Sequence, residues 1–470
     1  MLFNSFQFLC VFLPIVGAVY YYCARHGSAR IAQICLVIVS FVFYGLQKPV
    51  YLPLLLASIV ANFLFGRGIA RLAGKRRKQL LVVALVANIV FLSCFKYWNL
   101  VLRHLPYLQG KFHFPDWELP LGISFFTLQQ IMYLVDCYEE IVPANGFLAH
   151  AAFVSFFPSV ASGPLTRARL MVPQLISGVS SNAPKISQGI SLLAIGLFKK
   201  VVLADSVGRI ADAGFTVPGS LSALEAWASS LSFTFQIYFD FSGYSDMAIG
   251  IALLLGYTLP INFNTPYRSL SITEFWQRWH ITLSQFITNY LYTPILRSFR
   301  KITLVKAAAA TLLAMTIAGL WHGPSFTFVI FGLLHGIALA VNQVWRRKAR
   351  IRLPGLLSWI LTFLFVNFAF IFFRAPNLAA GLQVSRALVS FHDLFTLKAF
   401  AGSIRMIEMP VICVPAIAGI IVALFGENSN VFALKPRITF STALVISLLM
   451  LISFIFMNSN VAKEFVYFGF

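Results

Sequence analysis

Long apolar segments separated by short polar loops recur along this chain of 470 residues. Many are about 17–20 residues long, the length at which a helix can cross the hydrocarbon core of a bilayer. A transmembrane barrel strand needs only about 9–11 residues, with alternating polarity. The pattern predicts an all-α polytopic membrane protein with one membrane domain over 1–470. The segments lie near 5–23, 31–46, 50–66, 80–97, 120–137, 187–203, 223–239, 244–258, 304–320, 324–343, 355–373, 411–425 and 439–457.

The composition excludes several classes of protein. Hydrophobic residues make up 59% of the chain and charged residues only 11%, against about 25% charged in a soluble domain. A soluble enzyme, a disordered chain and a secreted disulfide scaffold are therefore excluded. The six cysteines have neither paired nor metal-like spacing, so we expect no disulfide framework and no metal site. A P-loop, a serine nucleophile elbow and a dinucleotide fingerprint are all missing from the sequence.

Basic residues determine the expected orientation. The net charge of +21 comes from Lys and Arg that sit between apolar segments, where the positive-inside rule expects them. The charge therefore indicates contact with membrane lipid and no nucleic-acid partner. We predict that both the N-terminus and the aromatic tail 463–470 lie outside the cytoplasm. The clusters predicted to be cytoplasmic are Lys75–Lys78, Arg297–Lys301, Arg346–Lys348 and Lys435 with Arg437.

Two segments are predicted to depart from simple spanning helices. Segment 147–165 is apolar but contains Pro158, Gly163 and Pro164, so it is predicted to be re-entrant and buried inside the protein. Segment 268–296 mixes charged residues with Trp276 and Trp279 and is predicted to be amphipathic. In an interfacial helix, such tryptophans are also typical of the aromatic belt at a membrane surface.

Three histidines stand out because ionisable groups between apolar spans are costly and need a reason to persist. His322 lies at the Gly-Pro break between two spans and is suited to act as a general base, although a histidine that caps a helix turn has the same spacing. His280 lies in a second Trp-His dipeptide, within 268–296. His335 is 13 residues after His322, roughly 140° around a continuous helix, and is interpreted as a polar contact between helices.

Two carboxylates, Asp240 and Asp246, lie between apolar flanks. A glycosidase-type acid pair is conceivable in this spacing, but such chemistry has no support in a lipid-embedded segment. We expect both carboxylates to hold Arg or His partners inside the helix bundle.

A set of motifs taken together resembles the membrane-bound O-acyltransferase superfamily. Within it, the chain is most similar to the bacterial branch of alginate and peptidoglycan O-acetylation proteins, which also includes the D-alanyl transferase of teichoic acids. The resemblance covers residues 1–345, with 346–470 forming C-terminal helices and the aromatic tail. The motifs are 121–126 (LGISFF), 156–158 (FFP) with 162–164 (SGP), 238–248 (YFDFSGYSDMA), 274–284 (EFWQRWHITLS) and 319–323 (GLWHG).

This resemblance implies a fold and a chemistry. The fold is a ring of about 11–14 transmembrane or re-entrant helices around a central tunnel. His322 would be the catalytic histidine, His280 the second histidine of the site, and Tyr467 in the tail an acyl carrier. No cofactor is expected to be bound. The acyl donor would be a cytoplasmic thioester, most simply acetyl-CoA. The expected setting is the bacterial inner membrane, with an extracytoplasmic SGNH-type transferase or esterase and a polysaccharide synthesis complex as partners.

Further residues are predicted to support transfer. The basic loop is expected to steer the phosphates of the donor by charge, and four residues near the histidines to orient or polarise the site. Two alternatives remain open at this stage: D-alanyl transfer, and a glycan transporter or flippase, which would require paired repeats with broken helices. The steering residues are Arg297, Arg300 and Lys301, and the supporting residues are Trp321, Asp240, Asp246 and Arg278.

Overall fold

The computed structural model describes residues 1–98, 119–144, 146–178, 182–349, 353–390, 410–433, 439–459 and 464–466. Within these ranges the regular elements are helices, without strands, which confirms the all-α prediction. The α-helices in chain order are α1 (Leu13–His26), α2 (Ala29–Gln47), α3 (Leu52–Arg71), α4 (Gly74–Lys96), α5 (Ile123–Tyr138), α6 (Phe147–Ser155), α7 (Phe157–Val160), α8 (Ala168–Ser177), α9 (Ala183–Phe198), α10 (Asp205–Thr216), α11 (Ala223–Leu254), α12 (Ile272–Arg278), α13 (Ile281–Phe286), α14 (Thr293–Arg297), α15 (Leu304–His322), α16 (Phe326–Lys348), α17 (Gly355–Arg374), α18 (Leu378–Leu388), α19 (Pro410–Phe425), α20 (Ser429–Ala433) and α21 (Phe440–Ser459).

Membrane-spanning helices account for much of this architecture. In the described part of the chain, 8 helices are long and apolar enough to cross a bilayer. Their positions agree with eight of the predicted segments, so the chain is a multi-pass membrane protein. The spanning segments are Gln7–His26, Ala29–Gln47, Pro49–Arg71, Gly74–Lys96, Leu304–His322, Phe326–Lys348, Gly355–Arg374 and Phe440–Asn458.

Helix α11 corrects one prediction. The apolar segments 223–239 and 244–258 are not two spans, because one 32-residue helix runs through both. It begins at a capping box made by Ser222 and Glu225, and Gly243 does not interrupt it. A Cβ atom on Gly243 would lie 2.7 Å from the carbonyl oxygen of Gly196 in α9. Glycine at this position lets two helix backbones approach closely, so it marks a helix crossing and not a break.

Segment 147–165 is broken into short pieces, as its prolines and glycines predicted. Helix α6 ends at Ser155, Phe156 leaves helical geometry, and α7 is a single turn. Nearly all of this segment is buried by the surrounding protein. Irregular backbone can lie at membrane depth when other parts of the protein satisfy it.

The amphipathic segment between α11 and α15 folds into the protein interior. It consists of a 3-10 turn, α12, α13, a π-helical turn over Ile287–Tyr292, and α14. Trp276 and Trp279 are only 7% and 3% exposed, so they do not form an interfacial aromatic belt. Instead α12 packs against α16 and brings the second Trp-His dipeptide towards the first.

Helices α15 and α16 form a tight hairpin that positions His322. The helices approach so closely that a Cβ on Gly332 would lie 2.4 Å from the carbonyl oxygen of Met315. Helix α15 ends at His322, and Gly323 continues in extended backbone. The predicted break between the two spans is thus confirmed, and it places His322 at the closed end of the hairpin.

Candidate active site

His322 lies in an aromatic enclosure at the end of α15. His322 is 4% exposed, and the centroid of its ring lies 5.1 Å from that of Phe373 and 6.0 Å from that of Phe331. The ring of Trp321 is 5.0 Å away. These rings come from α15, α16 and α17, so only the assembled bundle creates the enclosure. It keeps bulk water away from the imidazole.

Lys96 holds the same end of α15 from the neighbouring helix α4. Its ammonium Nζ donates to the Trp321 carbonyl at 2.5 Å and to Ser124 Oγ at 3.3 Å. The adjacent Tyr97 hydroxyl donates to the Leu320 carbonyl at 2.7 Å. A cation at the C-terminus of a helix satisfies carbonyls that lack helical partners and complements the helix dipole. Lys96 also interacts electrostatically with His322. The sequence analysis missed Lys96, although a lysine closing an apolar span was a usable signal.

His280 occupies a strained backbone position between α12 and α13. Its φ of 41° and ψ of 55° lie in the left-handed region, which costs an L-residue other than glycine roughly 1–2 kcal/mol. Such strain persists only where the surroundings impose it, often at functional sites. His280 is completely buried, and burial lowers the pKa of its imidazole to about 3. The side chain is therefore neutral at physiological pH.

Asn262 determines which nitrogen of His280 carries the proton. The Asn262 Oδ1 atom accepts from the backbone N–H of Thr282 at 3.2 Å and from its hydroxyl at 2.9 Å. The same oxygen lies 3.0 Å from His280 Nδ1. Because this oxygen can only accept, Nδ1 must donate its hydrogen. Neutral His280 consequently has its lone pair on Nε2, the form suited to accept a proton.

Phe125 joins the two catalytic candidates. Its ring stacks on His280 with centroids 6.3 Å apart and meets Trp321 edge-on at 5.7 Å. His280 and His322 are also close enough to interact electrostatically. The structure therefore brings the two Trp-His dipeptides into one buried site.

His335 forms the polar contact expected of it. Its Nδ1 accepts from the indole N–H of Trp276 at 3.1 Å, so the contact joins α16 to α12. Phe331 separates the two imidazoles of the hairpin, with its centroid 4.6 Å from His335 and 6.0 Å from His322. The hairpin brings these histidines closer than a continuous helix would.

The partners of the two buried carboxylates are lysines, not the Arg or His expected. Lys200 binds Asp240 at 2.7 Å, and Lys199 binds Asp246 at 2.7 Å. Both lysines lie in a π-helical turn that follows α9. From this turn, the two adjacent lysines each reach a carboxylate of α11. The sequence showed two lysines at the end of an apolar span but not this pairing.

The remaining predicted residues lie in different places. Arg278 is paired with Glu274 within α12, and its side chain is 31% exposed. Trp321 contacts His322 directly. Arg297, Arg300 and Lys301 are exposed. Tyr467 lies outside the described residues.

A cavity of about 710 Å³ lies between the amphipathic segment and the α15–α16 hairpin. Trp276 and Met315 are among its lining residues, as are Arg346 and Arg347 near the basic end of α16. Arg297, Arg300 and Lys301 do not line it. Met315 precedes His322 by seven residues, which is about 10 Å along the helix. The cavity thus extends from exposed arginines towards the buried histidines.

Comparison with known proteins identifies the class of enzyme. Residues 72–382 match the family MBOAT, membrane-bound O-acyltransferase. The chain belongs to this family and is an acyltransferase, which decides against the transporter alternative. It is 40% identical over 428 residues to a peptidoglycan O-acetyltransferase of Helicobacter pylori, covering 84% of this chain and 81% of the relative.

Two further relatives differ in their named activity and in their similarity to this chain. A probable alginate O-acetylase AlgI of Pseudomonas aeruginosa is 35% identical over 399 residues, covering 83% of this chain and 75% of the relative. A teichoic acid D-alanyltransferase of Bacillus subtilis is 26% identical over 310 residues, covering 62% and 76%. The D-alanyl relative is more distant than the two O-acetylation proteins.

Proposed function

We propose that this chain transfers an acetyl group from a cytoplasmic thioester, most simply acetyl-CoA, for O-acetylation of an extracytoplasmic polysaccharide. The bacterial inner membrane would be its location. The observation that carries the proposal is the buried pair His322 and His280, with a cavity that ends about 10 Å along α15 from His322. The O-acetylation named for the two most similar relatives described above supports acetyl as the acyl group.

The cavity is proposed as the donor site. Arg346 and Arg347 stand at its basic end, where the positive-inside rule expects the cytoplasm. Their guanidinium groups suit the phosphates of a coenzyme A thioester, because they offer forked hydrogen-bond donors. The predicted role of Arg297, Arg300 and Lys301 then reduces to long-range attraction of the anionic donor. The acyl end would travel past Trp276 towards the histidines.

His322 would act as the general base of the transfer. It takes the proton from an acceptor hydroxyl while the hydroxyl oxygen attacks the thioester carbonyl carbon. A C–O bond forms, the C–S bond breaks, and the leaving thiolate of coenzyme A takes up a proton. Such base catalysis contributes about 10²–10⁴ in rate. Neutral His280, with its lone pair on Nε2, would orient the acceptor or assist the proton transfer.

Tyr467 is proposed as the first acceptor and carrier. Its phenol would receive the acetyl group and pass it to an extracytoplasmic SGNH-type transferase or esterase, acting within a polysaccharide synthesis complex. D-alanyl transfer is the second candidate, because teichoic acid D-alanyltransferases are among the relatives. Their lower identity and coverage favour acetyl.

Mass spectrometry of the C-terminal peptide tests this proposal. The purified full chain is incubated with isotope-labelled acetyl-CoA, and His322→Ala is compared with the wild type. His150→Ala is a matched control, because His150 is also fully buried but packs on Tyr133 and Phe63, away from the site. We expect label on Tyr467 in the wild type and in the control, and none in His322→Ala.

Each other outcome changes a different part of the proposal. Consumption of acetyl-CoA without label on the tail would mean direct transfer to an external acceptor. Unchanged labelling in His322→Ala would refute His322 as the base. Consumption of a D-alanyl thioester in place of acetyl-CoA would establish the second candidate.

A further inference from the structure

The segment just before Tyr467 is held by Lys200, in the π-helical turn after α9, and by Asp240, in α11. The Glu464 carbonyl accepts from Lys200 Nζ at 3.1 Å, and the Val466 backbone N–H donates to Asp240 Oδ2 at 2.9 Å. Between them, the ring of Phe465 is 2% exposed and meets Tyr244 edge-on at 4.7 Å. The Lys200 ammonium lies 4.9 Å from the same ring. Three successive residues of the tail are thus recognised by three side chains of the bundle.

The Val466 N–H binds the carboxylate oxygen of Asp240 that the ion pair with Lys200 does not use. One oxygen of the Asp240 carboxylate, Oδ1, is bound by Lys200, and the other, Oδ2, accepts from the Val466 N–H. Both Lys200 and Asp240 have side chains only 1% exposed. A buried carboxylate needs donors for both oxygens, so the peptide N–H completes its hydrogen bonding. The recognised groups are a backbone carbonyl, an aromatic ring and a backbone N–H in consecutive residues.

We propose that Lys200, Asp240 and Tyr244 form a binding site for an extended aromatic peptide segment, which the chain fills with its own residues 464–466. The site acts as a positioning device, since it fixes the residue immediately before Tyr467. The effect of this site on catalysis rests on the proposed carrier role of Tyr467. The peptide site itself is defined by the contacts of residues 464–466.

The neighbouring ion pair provides a matched control. Asp246 also accepts from two donors, Lys199 at 2.7 Å and the Asn430 side chain at 3.4 Å. These donors do not come from the tail. In Asp240→Asn, the new amide group must face either the Lys200 ammonium or the Val466 N–H, both of which are donors. Asp246→Asn makes the same chemical change about 1.7 helical turns away, on a carboxylate with no bond to residues 464–466 in the structure described.

Hydrogen–deuterium exchange of the full chain in lipid nanodiscs measures the peptide site directly. The Val466 amide should exchange slowly in the wild type and in Asp246→Asn. It should exchange roughly tenfold faster or more in Asp240→Asn, because a hydrogen bond to a charged acceptor is lost. Phe465→Ala should have a similar effect from the tail side and leaves the ion pair intact, so it decides the question if Asp240→Asn fails to fold.

A second readout tests the positioning role. Label on Tyr467 per molecule of acetyl-CoA consumed should fall about tenfold in Asp240→Asn and Phe465→Ala. Fast exchange of the Val466 amide in the wild type would overturn the peptide site. If the Val466 amide loses protection in a variant but Tyr467 is labelled as in the wild type, the positioning role of the peptide site would be overturned. Protection that depends on Asp240, with no label on Tyr467 in the wild type, would support the peptide site while refuting the carrier role.

Discussion

Replacing Asn262 by leucine tests whether the second histidine must be held in its strained position. Asn262 is fully buried, and leucine has a similar shape but no hydrogen-bonding atoms. The substitution removes the acceptor of His280 Nδ1–H and of both the backbone N–H and the hydroxyl of Thr282. It therefore changes the surroundings of His280 while the histidine itself is retained.

The expected effects follow from these contacts. Each buried N–H left without an acceptor costs about 1–3 kcal/mol, so the two together lower the free energy of unfolding by about 2–6 kcal/mol. The left-handed backbone of His280 stores roughly 1–2 kcal/mol, which Asn262 helps to impose. If the backbone relaxes, the cost of restoring the active geometry corresponds to about 5- to 30-fold slower transfer.

The assay combines melting curves in detergent with acetyl transfer per folded molecule. Asn367→Leu is the matched control, because Asn367 is equally buried and hydrogen-bonds to Thr234 and Ser230, away from the histidines. Both variants should melt at lower temperature than the wild type. Only Asn262→Leu should lose transfer activity in the folded fraction.

One result would refute the reasoning. If folded Asn262→Leu transferred acetyl groups within twofold of Asn367→Leu, neither the tautomer nor the strained backbone of His280 would matter for the reaction. His280 would then be a structural residue, and His322 would act without it.

Three further predictions concern the helix ends, the helix crossing and pH. Lys96→Met should slow acetyl transfer by up to about 30-fold, since the cation at the end of α15 contributes up to about 2 kcal/mol, and Lys96→Arg should retain more activity in the same assay. Gly332→Ala should lower the melting temperature, because its methyl would lie 2.4 Å from the Met315 carbonyl oxygen and overpacking costs about 1–3 kcal/mol. Gly17→Ala, with nothing within 4 Å, should leave the melting temperature unchanged or raise it. Burial holds the pKa of His280 at about 3, whereas the unfolded imidazole takes up a proton near pH 6.5. Above pH 6.5 the imidazole is neutral in both states and the free energy of unfolding does not depend on it. As the pH falls from 6.5 towards 3, only the unfolded chain takes up the proton, so the free energy of unfolding decreases by about 1.4 kcal/mol per pH unit. Between pH 7 and pH 4, the melting temperature should fall more steeply with decreasing pH for the wild type than for His280→Gln. Equal slopes would contradict the lowered pKa of His280.

Helix positions were largely predictable because crossing a membrane imposes a length and an apolar composition on each segment separately. Eight predicted segments match the spanning helices, and the break at Gly323 was correctly located. The sequence analysis divided α11 into the segments 223–239 and 244–258, with Gly243 between them. Whether a glycine ends a helix or lets a neighbouring helix approach depends on what packs against it, which local sequence does not specify.

The sequence by itself determined that this chain is a multi-pass helical membrane protein of the acyltransferase family, with His322 at a helix end. Those features depend on hydropathy along the chain and on short motifs. Only the tertiary structure decided the partners of the polar groups. Lys96 at the end of α15, Asn262 beneath His280, and Lys200 with Asp240 around the tail all join residues distant in sequence. Buried polar groups must find partners wherever the packed bundle places them, so these pairings emerge only when the helices assemble.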